Sequence, residues 1–103
     1  MTKGEFPEAR LRDDQFERIA KALADPTRVA VLEAIGRAAE CPCQDLRSAF
    51  PVSKATISHH IKELVRAGLV DARREGQFLH CQLRRDVLKS YTAELLRRAG
   101  ETA

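Results

Sequence analysis

A change in the spacing of apolar residues, from the period of a helix to that of a strand, most constrains the fold of this chain. In SKATISHHIKELVRAGLV, residues 53–70, the side chains of Ile57, Ile61 and Leu64 share one side of a helix. The next segment, DARREGQFLHCQL, alternates instead and has a glycine near its centre. The sequence therefore predicts a helix that ends near Arg66 and is followed directly by a β-hairpin with its turn around Glu75 and Gly76.

Four further helices are predicted around this unit. The first begins near Asp13 and Asp14, which are expected to cap it, and the second begins with Asp25 as cap and Pro26 at its first position. A short third helix covers QDLRSAF, and the last begins near Asp86. The order helix, helix, short helix, helix, hairpin, helix predicts a mainly α protein with a small β-hairpin, which is a winged helix-turn-helix.

The length of 103 residues suits one compact domain and is too short for two independent cores. We expect residues 1–103 to form this domain, with residues 1–12 as a flexible N-terminal arm. No apolar run approaches the roughly 20 residues that cross a bilayer, which predicts a cytoplasmic protein without a membrane partner. Two of the three cysteines are separated by a single proline, so reduced thiols are favoured over a disulfide framework.

The excess positive charge of the chain lies in one segment. Residues 53–85 carry a net charge of +4, whereas residues 1–52 carry −1 and residues 86–103 are balanced. Such asymmetry favours a polyanionic partner over a neutral one.

Two adjacent histidines, His59 and His60, lie on different sides of the predicted fourth helix. His59 is opposite the apolar stripe, and His60 is at its edge. Neighbouring helical positions do not face each other, so the two imidazoles do not form a shared metal site. No nucleophile or carboxylate stands in register for catalysis, and an enzyme is not predicted. We expect His60 to help pack the helix and His59 to be exposed.

The outward face of this helix combines small, hydroxyl, imidazole and cationic side chains. Its members are Ala55, Ser58, His59, Lys62 and Arg66. Small residues let a helix approach base edges in the major groove closely, hydroxyl and imidazole groups can hydrogen-bond to them, and cations neutralise phosphate. The face therefore suits duplex DNA. A winged-helix module that binds protein or RNA is the alternative.

Four motifs occur together at characteristic separations: LADPTRVAVLEAI, ECPCQDL, SKATISHHIKELVRAGLV and REGQFLHCQL. In this order they resemble the ArsR/SmtB family of bacterial winged-helix repressors, over residues 13–98. The resemblance implies a homodimer that pairs through its first and last helices, binds operator DNA and dissociates when an effector binds.

The resemblance also implies roles for individual residues. The family's base-contacting positions correspond to Ser53, Lys54, Thr56, Ser58 and His59. Lys62 joins them from the outward face, and the wing residues that reach phosphate or the minor groove are Arg73, Arg74 and Gln77. The stripes of the first and last helices supply the dimer interface or, alternatively, the core of a single chain: Phe16, Leu23, Tyr91 and Leu95.

Cys41 and Cys43 lie where arsenic-sensing members of the family carry a Cys-x-Cys pair. Thiolates suit soft ions such as arsenite, cadmium or zinc, but such sites need three or four ligands. Leu46 occupies the position of a third thiolate. Cys81 is the candidate replacement, because the segment before the third helix of a winged helix pairs with the second wing strand; alternatively, Cys81 is a buried core residue. A thiol-based metal-binding or redox-sensing protein, and an effector of another kind, remain alternatives.

Overall fold

The computed structural model describes residues 11–100, so the predicted arm lies outside the described residues except for its last two positions. Five helices and three strands follow in this order: α1 (Asp13–Ala22), α2 (Pro26–Gly36), β1 (Cys41–Pro42), α3 (Cys43–Ala49), α4 (Lys54–Arg66), β2 (Val70–Glu75), β3 (Phe78–Leu83) and α5 (Arg85–Arg98). The predicted winged helix-turn-helix is confirmed. None of the helices in residues 11–100 is both long and apolar enough to cross a bilayer.

The predicted start of α2 is confirmed in detail. The Asp25 side chain accepts hydrogen bonds from the backbone N–H groups of Thr27 at 2.9 Å and Arg28 at 3.2 Å. Pro26 occupies the first helical position, where the missing N–H costs nothing. Because Pro26 has no N–H, three N–H groups at this helix start lack helical partners, and these contacts satisfy two of them.

The prediction that Asp13 and Asp14 cap α1 is wrong. The N-cap residue is Arg12, which makes no side-chain capping bond, and both carboxylates lie within the first turn. There their negative charges interact favourably with the positive end of the helix dipole. Asp13 accepts a hydrogen bond from Arg98 Nη2 at 2.8 Å and Asp14 accepts one from Arg12 Nε at 3.1 Å, so each carboxylate is engaged elsewhere.

The three strands form one antiparallel sheet in the order β1-β3-β2. Glu75 pairs with Phe78, so the hairpin turns at Gly76 and Gln77, one residue later than predicted. Gly76 has φ +64°, a conformation that a two-residue hairpin turn requires and that glycine adopts without strain. The sheet places the hairpin beside α3 and α4.

The core lies where α2, α3, α4 and the sheet meet. From α4 it receives Ile57, Ile61 and Leu64, the three residues of the predicted apolar stripe. Ile35 of α2 and Leu46 of α3 pack into the same cluster and are also almost fully buried. Burying one side chain of this size stabilises the fold by about 1.5 to 3 kcal/mol. The position of α4 is therefore fixed by its buried side.

Candidate nucleic-acid interface and thiol site

The side of α4 opposite the core faces solvent, as predicted. Ala55, His59, Lys62 and Arg66 are exposed, and Ser58 is half-buried. Arg66 donates a hydrogen bond to Glu63 at 3.0 Å, so its charge is partly balanced on the helix itself. The remaining groups form a polar surface that a groove with hydrogen-bonding base edges would complement.

The start of α4 is organised by two hydroxyl groups. Ser53 Oγ accepts a hydrogen bond from the Thr56 backbone N–H at 3.1 Å and lies 2.9 Å from Thr56 Oγ1. Ser53, a predicted contact residue, therefore caps the helix and is exposed at its start, whereas Thr56, which supplies the capped N–H, is half-buried. Lys54, between them, is exposed.

His60 is buried, with 5% of its surface exposed. Its Nδ1 accepts a hydrogen bond from Arg28 Nε at 3.2 Å, and Arg28 Nη1 also donates to the carbonyl of Ala22. The expected packing role of His60 is confirmed, and α4 is joined to α2 through a polar contact. Burial lowers the pKa of His60, and the charge of Arg28 adds to this effect, while the Asp25 carboxylate opposes it.

We expect the free energy of unfolding to decrease as the pH falls from 7.5 to 5. Because the pKa of His60 is lower in the folded than in the unfolded chain, the unfolded chain binds more protons, so stability is lost as pH falls below the unfolded value of about 6.5. Urea unfolding at several pH values would measure the slope. His60→Gln, whose amide oxygen can still accept from Arg28, should reduce it, and His59→Gln should not. The opposite result would contradict this placement of the two side chains.

In the wing, Arg73 is engaged by carboxylates. It donates a hydrogen bond to Glu40, and its Nη1 lies 3.6 Å from Glu75 Oε2. The Glu40 carboxylate raises the pKa of Arg73. His80 lies between two carboxylates, with its Nδ1 3.8 Å from Glu40 Oε1 and its Nε2 3.5 Å from Glu75 Oε1. Sequence reasoning missed this cluster, because the strand register places Arg73 opposite His80 and no local pattern signals it.

The other two predicted wing residues are open to a partner. Arg74 and Gln77 are both exposed, and Arg74 forms no ion pair with any residue in the described range 11–100. An unpaired guanidinium at a hairpin tip can approach phosphate without first breaking an internal contact. Arg74 is therefore better placed for a polyanion than Arg73.

The three cysteines are reduced, buried and close together. The expected pairing of the segment before α3 with the second wing strand is confirmed, and it makes Cys41 the strand partner of Cys81. The sulfur nearest to Cys81 is nevertheless that of Cys43, at 2.8 Å, while the Cys41 thiol donates to the carbonyl of Pro42 at 3.7 Å. Cys81 is thus both a core residue and a neighbour of the Cys-Pro-Cys segment.

The contact between Cys43 and Cys81 shifts the pKa values of their thiols in opposite directions. Its hydrogen bond to Cys43 raises the pKa of Cys81 and lowers that of Cys43, so Cys43 ionises first. Burial raises the pKa of Cys41. Arg47, one turn after Cys43, further favours the Cys43 thiolate, and its own Nε is buried without a hydrogen-bond partner in the described part of the chain. Across residues 11–100, no three His, Cys, Asp or Glu side chains are arranged to hold a metal ion.

Three of the four predicted interface residues pack within the chain. The rings of Phe16 and Tyr91 lie 5.1 Å apart, the Arg98 guanidinium stacks 3.8 Å above Phe16, and Leu23 packs against the same core. Leu95 is different, because 46% of its surface is exposed.

Leu96 is also exposed, at 54%, and sequence reasoning missed it because it lies off the predicted stripe of α5. Large apolar side chains scattered singly over a surface need no explanation, but two adjacent ones form a patch that a partner surface can cover. The outer side of α5 is therefore the candidate contact between two copies.

Comparison with known proteins agrees with this architecture. A family model described as a helix-turn-helix domain matches residues 23–73. The transcriptional repressor SdpR of Bacillus subtilis (strain 168) is 34% identical over 74 residues, which are 72% of this chain and 81% of that protein. The arsenical resistance operon repressor of Staphylococcus xylosus is 36% identical over 74 residues, covering 72% and 70%.

A solved structure is similar over most of this chain. It is the solution NMR structure of a homodimeric winged helix-turn-helix DNA-binding domain from Mycobacterium bovis, a possible ArsR-family regulator. The match covers 92% of this chain and 94% of that one, with a TM-score of 0.68 and 25% identity. On this sequence and structural evidence, the chain belongs to the ArsR/SmtB family of winged-helix transcriptional regulators, which bind DNA and are not enzymes.

Proposed function

We propose that this regulator is a homodimeric repressor that acts in the cytoplasm, binds a pseudo-palindromic operator and is released from it by an effector. The observation that carries the proposal is the outward face of α4. Its polar and cationic groups stand on a helix whose other side is buried in the core, so the face is rigidly presented. A helix held in this way enters the major groove without a change of fold.

The proposed interface divides into groups that read bases and groups that bind phosphate. Ser58 and His59 lie near the middle of the outward face, with the small Ala55 before them, and are placed to meet base edges. A second group extends this surface toward the sugar-phosphate backbone of the DNA: Lys54, Lys62 and the wing residues Arg73, Arg74 and Gln77. Arg73 contributes less than Arg74, because binding phosphate requires it to leave Glu40.

Operator affinity should decrease steeply with salt concentration. Each neutralised phosphate contributes a slope of about −0.9 in log K against log salt, and a dimer doubles the net charge of +4 carried by residues 53–85. His59→Ala should cost roughly 1 to 3 kcal/mol in discrimination between particular base pairs without changing the salt slope. Fluorescence anisotropy with operator variants at several salt concentrations would measure both.

The control for this experiment is the neighbouring histidine. His60→Ala removes a buried side chain and its bond with Arg28, so it should lower the thermal midpoint and leave base discrimination unchanged. A nearly salt-independent affinity, or an exchange of the two phenotypes, would refute the proposed interface.

We propose further that the effector is a soft ion, such as arsenite, cadmium or zinc, held by Cys41, Cys43 and Cys81. Three thiols are buried in one place, and sulfur donors suit these ions. The Staphylococcus xylosus relative is by name an arsenical resistance operon repressor. Two of the sulfurs already converge, whereas Cys41 would have to rotate away from Pro42 to complete a three-sulfur set. A bound ion would link β1, α3 and β3 through its bonds to sulfur.

The rival functions leave specific features without a role. A protein-binding winged helix would be favoured by an apolar outward face on α4, and an RNA-binding module by exposed aromatic side chains there. The face instead carries Ser58, His59 and Lys62. A thiol-based metal-binding or redox protein would account for the cysteines and leave this cationic face unused.

A further inference from the structure

Two buried thiols lie in contact although their residues are 38 positions apart in the sequence. Cys43 is the first residue of α3, and Cys81 lies in β3, the central strand of the sheet. Their sulfur atoms are 2.8 Å apart, and the two residues are 1% and 0% exposed. We propose that Cys43 and Cys81 are a reversible oxidation site that forms an intramolecular disulfide.

The geometry selects this pair among the three cysteines. A disulfide has an S–S distance of about 2.05 Å, so the two sulfur atoms have to approach by less than about 1 Å. Cys41 stands opposite Cys81 in the strand register, but its thiol is directed to the carbonyl of Pro42. Oxidation therefore consumes Cys43 and Cys81 and leaves Cys41 as a thiol.

A hydroperoxide is the oxidant that the reaction requires. The Cys43 thiolate attacks one peroxide oxygen and becomes a sulfenic acid, while the other oxygen leaves with its electron pair and takes up a proton. The Cys81 sulfur then attacks the Cys43 sulfur, and the sulfenic hydroxyl leaves as water with the Cys81 proton. Two thiols lose two electrons in total, and one hydrogen peroxide molecule becomes two water molecules.

The cross-link joins the helix-turn-helix unit to the wing. It connects the start of α3 with the middle strand of the sheet and closes a long loop, which restricts the unfolded chain more than the folded one. Because the sulfur atoms hardly move, the oxidised protein keeps the outward face of α4 in place. Oxidation should therefore raise the thermal midpoint by on the order of 10 °C and leave operator affinity within about threefold.

The test is a thiol count on the full chain before and after hydrogen peroxide. The reduced protein should show three free thiols under denaturing conditions and the oxidised protein one, with peptide mass analysis identifying a Cys43–Cys81 cross-link. Dithiothreitol should restore all three. Cys41→Ser is the matched control, because it changes the third thiol of the cluster and should still form the cross-link.

Cys43→Ser and Cys81→Ala should both keep two free thiols after the same treatment. Circular dichroism checks that each variant is folded, and Cys43→Ala replaces the serine variant if the latter is not. A thiol count that stays at three, a cross-link that contains Cys41, or a disulfide between two chains would overturn the proposal.

One consequence rests on the proposed effector site: the oxidised protein, with two sulfur donors consumed, should no longer bind arsenite. The two proposals fail separately. If the reduced protein binds no arsenite but still forms the Cys43–Cys81 cross-link, the soft-ion proposal is wrong and the oxidation site stands. If arsenite binds but three free thiols remain after peroxide, the oxidation site is wrong and the soft-ion proposal stands.

Discussion

Leu95→Asp should convert the protein from a dimer to a monomer and lower operator affinity at least about 100-fold. Leu95 and Leu96 form the exposed apolar patch on α5, and burying an unpaired carboxylate there costs several kcal/mol. A monomer presents one recognition helix where a dimer presents two, so it also loses the gain from linked binding. Sedimentation velocity and anisotropy with a full operator and a half-site would measure both effects.

The choice of residue follows from the packing of α5. Tyr91 was predicted in the interface, but its ring packs on Phe16 of the same chain, so a charge there would unfold the protein and reveal nothing about assembly. Ala38→Asp is the matched control, because it adds the same charge at an exposed alanine that lies outside α5, in the segment after α2. If Leu95→Asp remains a dimer with unchanged affinity, the outer side of α5 is not the interface. If Ala38→Asp dissociates equally, the added charge and not the patch on α5 is the cause.

The face that α4 presents could be predicted from the sequence because a helical period is local information. Ile57, Ile61 and Leu64 fix the buried side within three turns, and the exposure of His59 and the burial of His60 follow from the same geometry. The partner of His60 could not be predicted in this way. Arg28 lies 32 positions earlier in the chain, and only the packing of α2 on α4 brings the two side chains together.

In the wing, the strands could be predicted from the local sequence, but the residue partners across them could not. Alternation predicted both strands, yet a turn one residue later than expected decides which residues face each other. Arg73 consequently lies opposite His80 and beside Glu40, which binds it. Composition counts Arg73 and Arg74 as equal cations, whereas in the described part of the chain Arg73 is paired with carboxylates and Arg74 is not.

At the thiol site, the strand pairing could be predicted from the sequence, but the contact between sulfur atoms could not. The pairing of the segment before α3 with the second wing strand was predicted, and the observed register places Cys81 opposite Cys41. Which sulfur Cys81 contacts depends on where α3 begins, and α3 begins at Cys43, one residue earlier than the predicted segment. A helical first residue directs its side chain differently from a strand residue, so the contact moves from Cys41 to Cys43.

The response to a soft ion should disappear in the double variant Cys41→Ser/Cys43→Ser, while operator binding remains. Serine keeps a similar shape but replaces the soft donors, and neither residue lies on the outward face of α4. Operator release would be followed by anisotropy as arsenite, cadmium or zinc is added. The absorbance of sulfur–ion bonds in the near ultraviolet would be recorded in parallel, and release should track that absorbance.

Single variants then separate the roles of the remaining thiols. Cys81→Ser should abolish the ion response with a normal fold if Cys81 is a ligand, because without its sulfur only Cys41 and Cys43 remain. A modest loss of stability with the response retained would instead make Cys81 a core residue alone. Cys41→Ser tests whether Cys43 and Cys81 alone are enough for the ion response, since those two sulfur atoms are already in contact. If the reduced wild-type protein is released from its operator by none of the three ions, the soft-ion proposal is wrong, and the Cys-Pro-Cys segment serves only to begin α3.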